Sequence, residues 1–326
     1  MSEPLFSLVA LRSAAARIYR EMPPTPQYAW PLLQDRFGAE IWLKHENHTP
    51  TGAFKVRGGI TYMDWLVRAH PDVSGIVTAT RGNHGQAQAR AARNAGLQAV
   101  IVVPHGNSAE KNTAMQGFGA ELIEYGQDYN EAADYASQLA IERNLKLVSA
   151  FHPAIVQGVA SYGLELFDEA GALDAVYVPI GNGSGVCGTI AAREALGLPT
   201  RVIGVVSDRA PAAKLGFEAG QISSAGKANT FADGVAVRTP DTEAFEMYSK
   251  GVDHIVMVDD DAIAEAIRVI WQDTHNLAEG AGAVALAGMI AEKEQIAGKR
   301  VAAILTGGNI DQSMVAAVLA GQTPLS

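Results

Sequence analysis

A chain of 326 residues with 48% hydrophobic content can bury a large core and is long enough for two domains, so one compact unit is not expected. A formal net charge of −10 and a pI near 5.3, with no run of Lys or Arg to offset them, argue against nucleic acid and membrane as partners. The single cysteine, Cys187, allows no internal disulfide, Met1 to Tyr19 carries charges in place of an apolar signal core, and no apolar run reaches the roughly 18 residues that span a bilayer. A cytoplasmic protein is therefore expected.

Apolar positions at helical spacing predict a helix over residues 5–22, and Pro23-Pro24-Thr25-Pro26 then forces an extended connection. Ile41 to Lys44 reads as a strand leading into Thr51-Gly52-Ala53-Phe54-Lys55-Val56-Arg57-Gly58-Gly59, with an amphipathic helix from Val56 to Ala69. From Gly75 the pattern is strand, then helix, repeated: strands at 76–79, 99–103 and 121–125, with helices running to Asn94, to about Phe118 and to about Arg143. After Lys146-Leu147-Val148 the alternation resumes, with strands at 175–179, 202–206, 254–258 and 301–305. Strands alternating with helices of that length predict a doubly wound α/β fold of parallel sheets covered on both faces. Composition does not locate a domain boundary.

Four stretches carry chemistry. Lys55 follows a small-residue turn with apolar Phe54 beside it and Arg57 two residues on, and an amine acts as nucleophile only when desolvation or a neighbouring cation lowers its pKa. Thr80-Arg81-Gly82-Asn83-His84-Gly85-Gln86 and Gly181-Asn182-Gly183-Ser184-Gly185-Val186-Cys187-Gly188 each follow a β-branched strand and open a helix. The second of these can aim backbone N–H groups at an anion. Leu305-Thr306-Gly307-Gly308-Asn309 ends the last strand in the same manner. Taken one at a time, each has a plainer meaning: a solvated lysine at a helix start, a tight glycine turn, an N-cap asparagine. His45 and His48 lack Cys or carboxylate companions at ligand spacing, so no metal site is expected.

In this order and spacing the four stretches resemble the pyridoxal 5′-phosphate (PLP) enzymes of fold type II, and within them the threonine/serine dehydratases. The resemblance covers nearly the whole chain. It implies a tryptophan synthase β-like architecture: a large cofactor-binding domain from residues 1–64 and 151–326, a small α/β domain of residues 65–150 inserted into it, and the cofactor in the cleft between. By the same resemblance Lys55 bonds the cofactor and acts as the catalytic base, with Phe54 near the ring. Gly181, Asn182, Gly183, Ser184 and Gly185 hold the phosphate, Asn83 meets the ring hydroxyl, and Glu279 is a ring-side carboxylate. Thr306 faces the pyridine nitrogen, where a hydroxyl rather than an aspartate leaves the ring a shallow electron sink that favours β-elimination over transamination. Thr80, Arg81, Gly82 and His84 surround the substrate.

The implied activity is PLP-dependent dehydration and deamination of a β-hydroxy amino acid such as threonine, serine or a bulkier analogue, to a 2-oxo acid and ammonia. The expected partner is that small molecule, and a homodimer is compatible with the resemblance. Asn182 and Thr306 resemble threonine synthases instead, leaving β-replacement with γ-elimination as an alternative. Serine racemase-like activity is a further one, disfavoured because Arg81 stands where those enzymes carry a serine base, and arginine cannot act as a base at neutral pH. Ser207 replaces the expected first ligand of a divalent cation, and no C-terminal effector module is expected after Ser326. The stretch Phe151-His152-Pro153-Ala154-Ile155-Val156-Gln157-Gly158 resembles a subgroup that includes hydroxyectoine-utilisation and phenylserine dehydratases, and there it is expected to border the substrate side chain.

Overall fold

A computed structural model describes residues 5–325; both outer ends of the expected large domain, and with them the start of the charged segment Met1 to Tyr19, lie outside the described residues. In chain order the elements are α1 (Leu8–Ile18), β1 (Gln27–Ala29), α2 (Pro31–Phe37), β2 (Glu40–His45), α3 (Lys55–Ala69), β3 (Gly75–Ala79), α4 (Asn83–Asn94), β4 (Gln98–Val103) and α5 (Ala109–Gly117). There follow β5 (Glu121–Glu124), α6 (Tyr129–Glu142), β6 (Lys146–Leu147), α7 (Pro153–Ala170), β7 (Ala175–Pro179), α8 (Ser184–Ala195), β8 (Arg201–Ser207) and α9 (Ala212–Ala219). The chain finishes with α10 (Thr242–Gly251), β9 (His254–Val258), α11 (Asp260–Thr274), α12 (Gly280–Ala291), α13 (Lys293–Ile296), β10 (Arg300–Leu305) and α14 (Gln312–Leu319).

These strands form two sheets, one ordered β1-β2-β10-β7-β8-β9 and the other β5-β4-β3-β6. Every pairing is parallel except that of β1 with β2. The central strands β3 and β7 are buried at all five positions, as their unbroken apolar runs require when helices cover both faces. Doubly wound α/β architecture is thus the observed fold. Residues 23–26 carry no helix or strand, as the proline run predicts, and β1 and α2 follow where the sequence marked no element: Pro31 occupies the first turn of α2, where its missing N–H costs nothing, and Gly38 closes the helix at φ 62°.

Helix α3 starts one residue earlier than expected, at Lys55 itself, and runs through the boundary expected at residues 64/65. It packs against α4 and α7, and the apolar faces of α3, α4, α7 and α8 meet in one continuous core that reaches both sheets. The stretch 151–158 leads straight into α7, which begins at Pro153. His152 caps α7, its Nδ1 accepting from Ala154 N at 3.1 Å, Pro153 sits in the first turn, and the His152 ring packs on Trp65 with centroids 4.3 Å apart.

Candidate active site

Lys55 is aimed by the turn before it. Thr49 Oγ1 accepts from Ala53 N at 2.9 Å, Phe54 N donates to Thr306 O at 3.0 Å, and Ala53 bridges Gly307, so the start of α3 is stitched to the end of β10. The Lys55 ammonium lies 4.9 Å from the Phe54 ring centroid and donates to Ser184 Oγ at 2.9 Å. No carboxylate among the described residues pairs with it, and burial pushes its pKa down to about 8.

Across from Lys55, the β7–α8 turn forms a cradle. Gly183 is the N-cap of α8 at φ 88°, a left-handed conformation that suits glycine, and a Cβ there would meet the Ala244 Cβ at 2.6 Å. At Gly181 a Cβ would stand 2.3 Å from Gly234 O. With no side chain capping this helix, its first N–H groups remain free for an anion, and Ser184 adds a hydroxyl.

The third wall is the β3–α4 turn. Asn83 does not cap α4: Gly82 is the N-cap, and the Asn83 amide reaches across to donate to Glu279 Oε1 at 2.6 Å while its oxygen accepts from Asn309 Nδ2 at 2.8 Å. Glu279 sits at the start of α12 and is buried; burial raises its pKa to about 7 against the opposing pull of Lys111 and the Asn83 hydrogen bond. His84 is also buried, held neutral by a pKa pushed down to about 3 by desolvation and the nearby Lys55 charge. Glu279 Oε2 and His84 Nε2 have no hydrogen-bond partner among the described residues. Thr306 Oγ1 donates to Ala281 O at 3.2 Å.

The residues expected to hold the cofactor and surround the substrate line one cavity of about 720 Å³: Phe54 and Lys55; Thr80, Arg81, Gly82, Asn83 and His84; Gly181, Asn182, Gly183, Ser184 and Gly185; Glu279 and Thr306. Of residues 151–158, none reaches it; Ala150 does. Another wall comes from residues 227–230 and 233–239, a stretch with no periodicity to mark it in sequence. Lys111 of α5 and its ion-pair partner Asp233 also line the cavity, and sequence reasoning passed over both. An amine without a carboxylate partner, two orphaned buried polar atoms and a free helix start facing one cavity fit an aldehyde that carries a phosphate.

The sequence model of the pyridoxal-phosphate dependent enzymes matches residues 18–307. The chain belongs to that family. Its relatives there include the biosynthetic L-threonine dehydratase of Haemophilus influenzae, 31% identical over 93% of this chain but only 59% of that protein. The L-threo-3-hydroxyaspartate ammonia-lyase of Saccharomyces cerevisiae is 30% identical over 95% of both chains. Among solved structures, processed threonine deaminase isoform 2 of Solanum lycopersicum superposes with a TM-score of 0.89 at 29% identity, covering 98% of this chain and 96% of that one. The chain spans little more than half the length of the biosynthetic dehydratases it matches.

Proposed function

We propose that this PLP-dependent enzyme is an ammonia-lyase that dehydrates a β-hydroxy amino acid to a 2-oxo acid and ammonia. The observation that carries the proposal is the Lys55 amine, without a carboxylate partner and 2.9 Å from Ser184 Oγ at the mouth of the phosphate cradle. Relatives named as threonine dehydratases and a hydroxyaspartate ammonia-lyase support it.

When bound, PLP supplies an aldehyde that captures the substrate amine and a ring that draws electron density from the α-carbon. The residues of the chain do the rest. Gly181, Gly183 and Gly185 with Asn182 and Ser184 would hold the phosphate; Phe54, Asn83, Glu279 and Thr306 would take the ring, with Thr306 offering a hydroxyl where a carboxylate would make a deeper sink. Backbone N–H groups of the turn Thr80-Arg81-Gly82-Asn83-His84 receive the α-carboxylate. Lys55, its pKa lowered by burial, takes the α-proton, and the β-hydroxyl departs as water; later hydrolysis returns that water and frees ammonia, so the net reaction is amino acid to 2-oxo acid plus ammonia.

Sheet β1-β2-β10-β7-β8-β9 and its helices would be the large domain and β5-β4-β3-β6 the small one, with the cavity between them. A cytoplasmic homodimer is part of the same proposal, which sedimentation of the purified protein tests; no described helix is long and apolar enough to cross a membrane. The decisive variant is Lys55→Ala. Borohydride should fix the cofactor onto the peptide that contains Lys55 in the wild type and onto no peptide in the variant, with ammonia release lost as well; an unchanged adduct in the variant would overturn the assignment.

A further inference from the structure

The charges on the cavity wall are unevenly matched. Lys111 is paired with Asp233, and Arg238 with Asp128 at 3.3 Å. Lys55 is committed to the cofactor by the proposal above. Arg81 lines the same cavity, is exposed there, and makes no hydrogen bond or ion pair with any described residue. Lys227 on the facing loop is in the same position. Neither Asp233 nor Asp128 is free to neutralise them, and the remaining wall carboxylate, Glu279, is buried, accepts from Asn83 and pairs with neither cation.

Position 81 also matters. Arg81 lies between Thr80, whose Oγ1 accepts from Gly82 N at 3.1 Å, and the start of α4, so its Cα is fixed beside the N–H groups that would take the α-carboxylate. The Arg81 side chain is long enough to extend past those N–H groups into the cavity it lines. Its planar fork matches a carboxylate with two parallel hydrogen bonds, a geometry a lysine ammonium lacks.

We propose that Arg81 is a specificity residue that selects β-hydroxy amino acids whose side chain ends in a carboxylate, with Lys227 adding positive potential on the facing loop. This rests on the ammonia-lyase reading and deepens it by naming the substrate class. The test separates the two by using binding rather than turnover. Aspartate and alanine both lack the leaving hydroxyl and differ by one carboxylate; each is titrated into the holoenzyme and followed through the cofactor's absorbance. In the wild type aspartate binds more tightly than alanine. Arg81→Met should weaken aspartate ten- to hundredfold, the scale of a lost charged hydrogen bond, and alanine less than threefold, with Arg81→Lys in between. Equal weakening of both ligands would place Arg81 on the α-carboxylate, no change in either would make it a solvated surface cation, and both results overturn the proposal. Ammonia release from 3-hydroxyaspartate and serine is scored separately: its absence for both defeats the ammonia-lyase reading whatever the binding data show.

Discussion

An amine attacks an aldehyde only in its unprotonated form, and Lys55 is placed where the charged form is disfavoured: it is buried, with no carboxylate among the described residues to pair with it. Its pKa near 8 sets a testable sign. For protein stripped of its cofactor, the rate constant for PLP capture should rise about tenfold per pH unit below 8 and level off above it, because the neutral fraction saturates there. A rate that climbs without a break to pH 10 would mean an ordinary, unshifted lysine. The residues at this scale were unevenly legible. Lys55, Asn83 and the glycines stand in short stretches whose composition betrays a turn before a helix. Lys111 and Asp233 do not: Lys111 looks like any lysine on a helix surface until the fold brings Asp233 to it from 122 residues away, and Asn309, though it stands in the last of those stretches, shows its pairing with Asn83 across 226 residues only in the fold.

At the scale of elements, the cradle depends on one helix start. A side chain at Gly183 would be strained by its positive φ and crowded by Ala244, so Gly183→Ala should tilt the first turn of α8 and weaken cofactor binding at least tenfold, about 1.4 kcal/mol. Titration of the stripped protein with PLP measures this, and a change below twofold would remove the cradle from the phosphate site. The strands were readable because β3, β4, β7, β8 and β10 are nearly continuous runs of buried apolar residues, the pattern a doubly covered parallel strand imposes. By contrast β1 is only three residues long and borders the sheet through an antiparallel pairing of Gln27 with Lys44, too short to show a period. The start of α7 was not marked in the sequence for a different reason: His152-Pro153 carries no period of its own, yet it is a capping pair that feeds a helix.

Across the whole molecule, a buried charge network ties the N-terminal segment to α3 and α7. Arg57, two residues after Lys55, donates to Glu46 Oε2 at 2.7 Å, to Glu165 Oε1 at 2.6 Å and to Ser161 Oγ at 2.8 Å, while Lys44 donates to Glu165 Oε2 at 2.6 Å. Two cations and two carboxylates balance, and each is satisfied by several hydrogen bonds. Arg57→Met would leave two buried carboxylates sharing Lys44 alone and should lower unfolding free energy by about 3–5 kcal/mol in chemical denaturation; a loss under 1 kcal/mol would show that water reaches the network. The network holds the first turn of α3, and the closing measurement tests what that turn is for. Purified holoenzyme is given serine, threonine, 3-hydroxyaspartate and phosphohomoserine in turn, and ammonia, 2-oxo acid and inorganic phosphate are measured together. Equimolar ammonia and oxo acid from at least one hydroxy amino acid, with no phosphate released from phosphohomoserine, is the predicted result; phosphate release, or no ammonia from any of the hydroxy amino acids with PLP bound, would contradict it.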